Sequence, residues 1–156
     1  MYINEKTLKT LEFDKIRALL AGCCATQGAK AEALALVPDV YPDRIRRAQA
    51  RTADARRLCD AKGAPSFGGV TDVRDICARA EKGAILTPAE LLDVACVLRT
   101  SRSLLDYIRS NRLFPTVIDE VFERLMPYRQ LEDRIGRSII SEELISDLHS
   151  ALTGIT

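Results

Sequence analysis

Six arginines stand between positions 44 and 57 (Arg44, Arg46, Arg47, Arg51, Arg56 and Arg57), against Asp43, Asp54 and Asp60 in and around the same stretch. Guanidinium groups are permanent cations with several N–H donors, and what they do best is pair with phosphate or carboxylate oxygens. Arg44, Arg47 and Arg51 recur at helical spacing and so share one flank of a helix. That trio is the candidate set of contacts to a nucleic-acid backbone, a role that needs charge and reach but no base-reading geometry. The competing reading is a solvated helix face tied by Asp–Arg pairs within the helix.

Other chemistry finds less support. Gly63 and Gly68 have the separation of a phosphate-cradling loop, but Gly69 and Val70 stand where that loop needs a lysine and a hydroxyl, and no strand precedes it. Gly22 and Gly28 fail as well, with one intervening residue too many and Ala29 in the lysine place. The single histidine, His149, has no marked partner and reads as a surface residue rather than a base. Asp119 with Glu120, and Glu142 with Glu143, are adjacent rather than facing and read as solvated carboxylates. Cys23, Cys24, Cys59, Cys77 and Cys96 are odd in number and form no CxxC pair, so they read as reduced thiols on helices and not as a disulfide or zinc framework. No catalytic, cofactor-binding or metal-ligating residue is assigned, and a small enzyme is the weakest of the functional classes.

The elements that carry the arginines are helical. Asn4 is placed to cap a short turn with Leu8 and Leu11, Asp14 to cap a helix ending at Gly22, and Thr26 to restart one that stops at Pro38. Pro42 opens the arginine helix, which ends before Gly63; residues 63–69, with three glycines and a proline, form a loop. A short helix from about Asp72 to Lys82 closes at Gly83. Thr87-Pro88-Ala89-Glu90 is a capping box with proline at the first helical position, and a long helix over about 88–111 must start there. A further helix is expected from Pro115 to Pro127 and a short one from Leu131 to Ile135, stopped by Gly136. The β-branched Ile139, Ile140 and Ile145 suggest a strand-like segment near 138–146. The expected fold is therefore all-α, built around one long helix.

Size and composition bound what this can be. A chain of 156 residues and 17.3 kDa makes one domain of ordinary size, and 47% hydrophobic and 29% charged residues mark it as globular. A net charge of +1 lacks the global positive field of a dedicated small nucleic-acid binder, and residues 119–147 carry an acidic excess, which makes the surface bipolar. Aromatic residues are 5% with no tryptophan, so stacking platforms are few. Apolar runs are too short for a membrane span and the first residues do not form a secretory signal, which leaves the cytoplasm as the expected location and no membrane as a partner.

Particular runs point to a family. Glu5-Lys6-Thr7-Leu8-Lys9-Thr10-Leu11-Glu12-Phe13-Asp14-Lys15-Ile16 resembles the start of the second, non-mismatch-repair class of bacterial MutS proteins. So do Gly68-Gly69-Val70-Thr71-Asp72-Val73-Arg74, the run from Arg79 through Thr87-Pro88-Ala89-Glu90 to Val94, and Leu98-Arg99-Thr100-Ser101-Arg102. The blocks are collinear and cover roughly residues 5–147; beyond Asp147 the likeness is loose.

The resemblance implies a multi-helix core and lever domain over residues 1–147, with 148–156 beginning a lever helix. It implies a large DNA-binding ATPase and, in most members, an Smr endonuclease, acting as a homodimer with a coiled-coil clamp. Such proteins are associated with suppressing homologous recombination at branched DNA and, in some bacteria, with splitting collided ribosomes. ATP and magnesium belong to the full-length family; none of its Walker or nuclease residues maps onto a position of this chain, so the role implied here is non-catalytic. The expected partners are the clamp and ATPase domains of the same polypeptide, and through them branched DNA or the ribosome. The alternative is a stand-alone helical adaptor that binds a partner protein. Narrow apolar stripes also lead to the expectation that the chain exposes apolar surface and self-associates.

Overall fold

Capping side chains set three of the helix starts, the first, third and sixth in chain order, in the computed structural model, which describes residues 4–110 and 114–139. The Asn4 Oδ1 accepts from the Thr7 amide at 2.8 Å and starts α1, Glu5–Thr10. Helix α2, Phe13–Gly22, follows a single-residue corner at Glu12, whose φ of 52° is left-handed. Asp14 was the expected cap, yet it lies inside the first turn, where its charge favours the helix dipole without closing an amide. The corner at Glu12 starts the helix before Asp14 is reached. Thr26 does cap α3, Gln27–Ala35, accepting from the Ala29 amide at 3.2 Å. Helices α2 and α3 pack on each other through the buried Ala21 and Ala33, small residues that let the two backbones approach closely, and Arg17 donates across the pair to the Leu34 carbonyl at 3.2 Å.

The arginine helix α4 spans Pro42–Lys62 and buries only Leu58; Gly63, with a φ of 79°, ends it. The loop after it lies against the next long helix, where the Cys96 thiol donates to the Gly69 carbonyl at 3.3 Å. Helix α5, Arg74–Glu81, closes with a Schellman motif: Ala84 N–H bonds the Arg79 carbonyl at 3.0 Å and Gly83 N–H bonds Ala80 at 2.9 Å.

Helix α6, Pro88–Arg109, begins at the expected capping box, Glu90 N–H donating to the Thr87 hydroxyl and Thr87 N–H to the Glu90 carboxylate. It is the spine of the fold. Ala95 is buried with Ile135 and Ile139 of the last described helix, α8 (residues 129–139), and Leu91, Val94 and Leu98 close around them. Glu132 of α8 accepts from both Arg99 and Arg102 of α6. At its other end α6 is tied to α4: Tyr107 donates its hydroxyl to the Gly63 carbonyl at 2.8 Å, and the Lys62 ammonium donates to the Tyr107 and Ser110 carbonyls.

Three further expectations need correction. Helix α7 is a single turn, Asp119–Phe122, rather than an element running from Pro115 to Pro127. The Val117 amide is taken by Asp54 of α4 at 2.8 Å, while Asp119 accepts from the Thr116 amide and hydroxyl and closes a turn there, so the helix begins only at Asp119. Helix α8 does not stop at Gly136. A glycine inside a helix costs about 1 kcal/mol, and burying one isoleucine returns about 1.5–3 kcal/mol, so Ile135 and Ile139 on one face outweigh it. For the same reason Ser138 and Ile139 are helical rather than strand-like, and among the described residues there is no strand. The rest of that segment, the 148–156 stretch, His149, and the Asn111 end expected for the long helix lie outside the described residues.

The core is thin. Seven hydrophobic residues are buried among those described, three of them alanine. Leu11, just past α1, and Ile16, Leu19 and Leu20 on α2 stand in solvent, as do Val121, Met126, Tyr128 and Leu131 further along the chain. Exposed apolar surface is thus present as expected.

Candidate functional site

Helix α4 is nearly polar all round, so its stability leans on charge pairs and on its attachments at either end. Two of its arginines use the pairing expected of a solvated face: Arg46 bonds Asp43 at 3.1 Å and Arg57 bonds Asp54 at 3.2 Å, each three residues apart. The trio Arg44, Arg47 and Arg51 does something else, and it divides.

Arg44 faces an open cleft of about 880 Å³ between α1, α2 and the 37–41 linker. Its guanidinium lies over the Tyr41 ring, 5.0 Å from the centroid, and 3.9 Å from the Asp39 carboxylate. Lys9 and Arg17 share that cleft with Glu5, Asp14 and Asp39, so its charges balance and it is no simple anion trap.

Arg47 and Arg51 converge on one carboxylate from α7. The Nη2 of Arg47 donates to both oxygens of Glu120, at 2.9 and 2.7 Å, and the Nη2 of Arg51 donates to Oε1 at 2.5 Å. Arg51 and then Arg47 hold the Glu120 carboxyl below the usual carboxylate range. Each guanidinium bonds Glu120 through its Nη2 alone, and the side chains stay 62% and 44% exposed. A neighbouring contact holds the same segment more firmly: Asp54, largely buried, accepts from the Val117 amide, and Arg57 stacks 4.1 Å over the Phe114 ring.

Sequence reading located the arginines but missed their partner. Glu120 was grouped with Asp119 as solvated, whereas Asp119 bonds Thr116 and Glu120 bridges two arginines some seventy residues upstream. Composition offered one signal, the bipolar distribution of charge, which says that the basic helix and the acidic segment attract without saying which residues meet. All five cysteines are free thiols; Cys23 and Cys24 follow α2 rather than lying on a helix. Among the described residues no three His, Cys, Asp or Glu side chains gather to hold a metal ion, and no helix is long and apolar enough to cross a membrane.

No family model matches the chain. It is 42% identical over 148 residues to "Endonuclease MutS2" of Acetivibrio thermocellus, 37% identical over 147 residues to the protein of that name in Clostridium tetani, and 36% over 147 residues to that of Clostridium novyi. Each alignment takes in 93% of this chain but only 19% of the relative. The chain therefore spans about one fifth of the length of the curated relatives it matches.

Proposed function

The chain belongs to the MutS2 family, matching its N-terminal region, and from that premise we propose that it serves as the non-catalytic core and lever portion of a MutS-like ATPase and endonuclease. Its work is mechanical. It couples the nucleotide state of ATPase domains to the position of the clamp that engages nucleic acid, a shift between two arrangements rather than a chemical step. ATP and magnesium are held by other segments of such a protein, which acts as a homodimer on branched DNA to restrain homologous recombination, or on collided ribosomes. Both targets present backbone phosphates.

The alignment over 93% of the chain is the observation that carries this reading. The fold supports it in two ways. Helix α6 is a rod of 22 residues, joined along its length to α8 and at its end to α4, which suits an element that transmits displacement. Exposed leucine and isoleucine on α2 suit a piece that packs against further protein. Within this portion, Arg44, Arg47 and Arg51 contact phosphate.

Fluorescence anisotropy with a labelled DNA duplex tests the contact. Weak binding is expected, its logarithm falling linearly with the logarithm of salt concentration, and each Arg→Ala substitution in the trio is expected to flatten the slope by about 1. Binding that ignores all three substitutions would overturn the contact. The exposed α2 face favours one second reading, a helical adaptor that docks a protein; capture of a defined partner that Leu19→Glu abolishes, in a chain that binds no nucleic acid, would establish it instead.

A further inference from the structure

The segment carrying Glu120 is anchored without Glu120. Asp54 takes the Val117 amide at 2.8 Å, Arg57 covers the Phe114 ring, and Thr116 and Asp119 close the turn internally. The bridge from Glu120 to Arg47 and Arg51 is therefore a second, separable tie, and it is the exposed one: the Glu120 side chain is 45% accessible, whereas that of Asp54 is 13% accessible. Two guanidiniums closing on a single pair of carboxylate oxygens is also the arrangement in which arginines receive a phosphate group.

We infer that Glu120 is an internal phosphate mimic, a latch that occupies Arg47 and Arg51 in the free chain and is displaced when a nucleic-acid phosphate arrives. The inference rests on the phosphate-contact reading above and adds its regulation. Exchange is easy because exposed ion pairs hold weakly and are screened by salt, while a nucleic acid offers many phosphates together and releases counterions as it binds. Once displaced, Glu120 is repelled by the phosphates, so α7 swings out on the Asp54 anchor rather than staying seated beside the ligand. The latch lowers affinity for scattered anions and couples the position of α7, and the chain that follows it, to occupancy of α4.

The test compares four forms of the 156-residue chain in anisotropy titrations with labelled duplex DNA and duplex RNA: the unaltered chain, E120Q, E123Q and E120Q combined with R47A and R51A. Glu123 lies on the same segment outside the arginine bridge, so E123Q removes the same charge without touching the latch. The latch predicts that E120Q tightens binding about three- to tenfold at low salt, that E123Q changes it less than about twofold, and that R47A with R51A erases the gain. Saturating nucleic acid should also speed amide hydrogen exchange over residues 119–123 in the unaltered chain, while the Val117 amide stays protected by Asp54. Equal effects of E120Q and E123Q, or slower exchange in that segment, would overturn the latch while leaving the arginine contact standing. Loss of the E120Q gain on DNA but not RNA, or the reverse, identifies which backbone displaces Glu120. No dependence on Arg47 and Arg51 in any form would bring down the contact itself. Unchanged circular dichroism in E120Q separates a released latch from a lost fold.

Discussion

Gly69 and Gly136 show how differently one residue type is used within a single chain. Gly69 adopts a φ of 77°, and a β-carbon there would sit 3.2 Å from the Cys96 sulfur. Gly69→Ala is therefore expected to destabilise by about 1–2 kcal/mol, measured by urea denaturation, because both backbone and packing object. Gly136 lies inside α8 with open space around it, so Gly136→Ala is expected to stabilise by about 0.5–1 kcal/mol in the same assay. The paired carboxylates act at the same scale. Glu90, held by the Thr87 amide and Arg79, Glu120, held by Arg51 and Arg47, and Glu132, held by Arg102 and Arg99, all titrate below the usual range, and Arg74 brings Asp72 down to about 2. A carboxyl with a depressed folded-state pKa stabilises the fold above its unfolded pKa and loses that contribution as pH falls through the folded one. Thermal midpoints should accordingly stay level from neutral pH to about 5 and decline below about 4.5. Glu132→Gln should lower the plateau and shallow the decline; an unaltered profile would mean that its bridge to α6 contributes nothing.

Elements differ in how much of their own cause they carry. Helix α6 announces itself because Thr87, Pro88 and Glu90 act on amides within one turn, and Thr87→Ala is expected to cost about 1 kcal/mol in thermal denaturation. The starts at Asn4, Thr26 and Pro42 and the stop at Gly63 are legible for the same reason: the donor and acceptor are neighbours in sequence. Helices α7 and α8 are not legible, since what decides them is distant. Val117 gives its amide to Asp54, and Ile135 and Ile139 gain their burial against Ala95 of α6, far back in the sequence. Local propensity puts a stop at Gly136 and a strand near Ile139, and tertiary burial overrides both. The same divide governs the candidate site: spacing reveals the three arginines as one flank, but only the fold separates Arg44 from the pair and supplies Glu120. Ile135→Ala, which removes part of that distant cause, is expected to cost about 2–4 kcal/mol and to lower helicity, read by circular dichroism.

Across the whole molecule, apolar surface is left over. With seven buried hydrophobic residues among those described and Leu19 74% exposed, the chain is expected to bind a hydrophobic dye and to self-associate as concentration rises. Leu19→Glu should reduce both without lowering stability, as seen by dye fluorescence and analytical ultracentrifugation; a strictly monomeric, dye-silent chain would refute the expectation. The attachment of Lys62 acquires its meaning at this scale. Helix α6 is closed at one end by its own Thr87 and Glu90 and at the other by an ammonium borrowed from α4, so neither end is free to fray. A rod of 22 residues is about 33 Å long, and a tilt of roughly 10° about one end carries the other through roughly 6 Å. Because Lys62 and Gly63 ride on that far end, the sweep reaches the arginine helix as a change in where its charges point, and a rotation too small to disturb any packed side chain becomes a displacement about as large as the gap between successive phosphates.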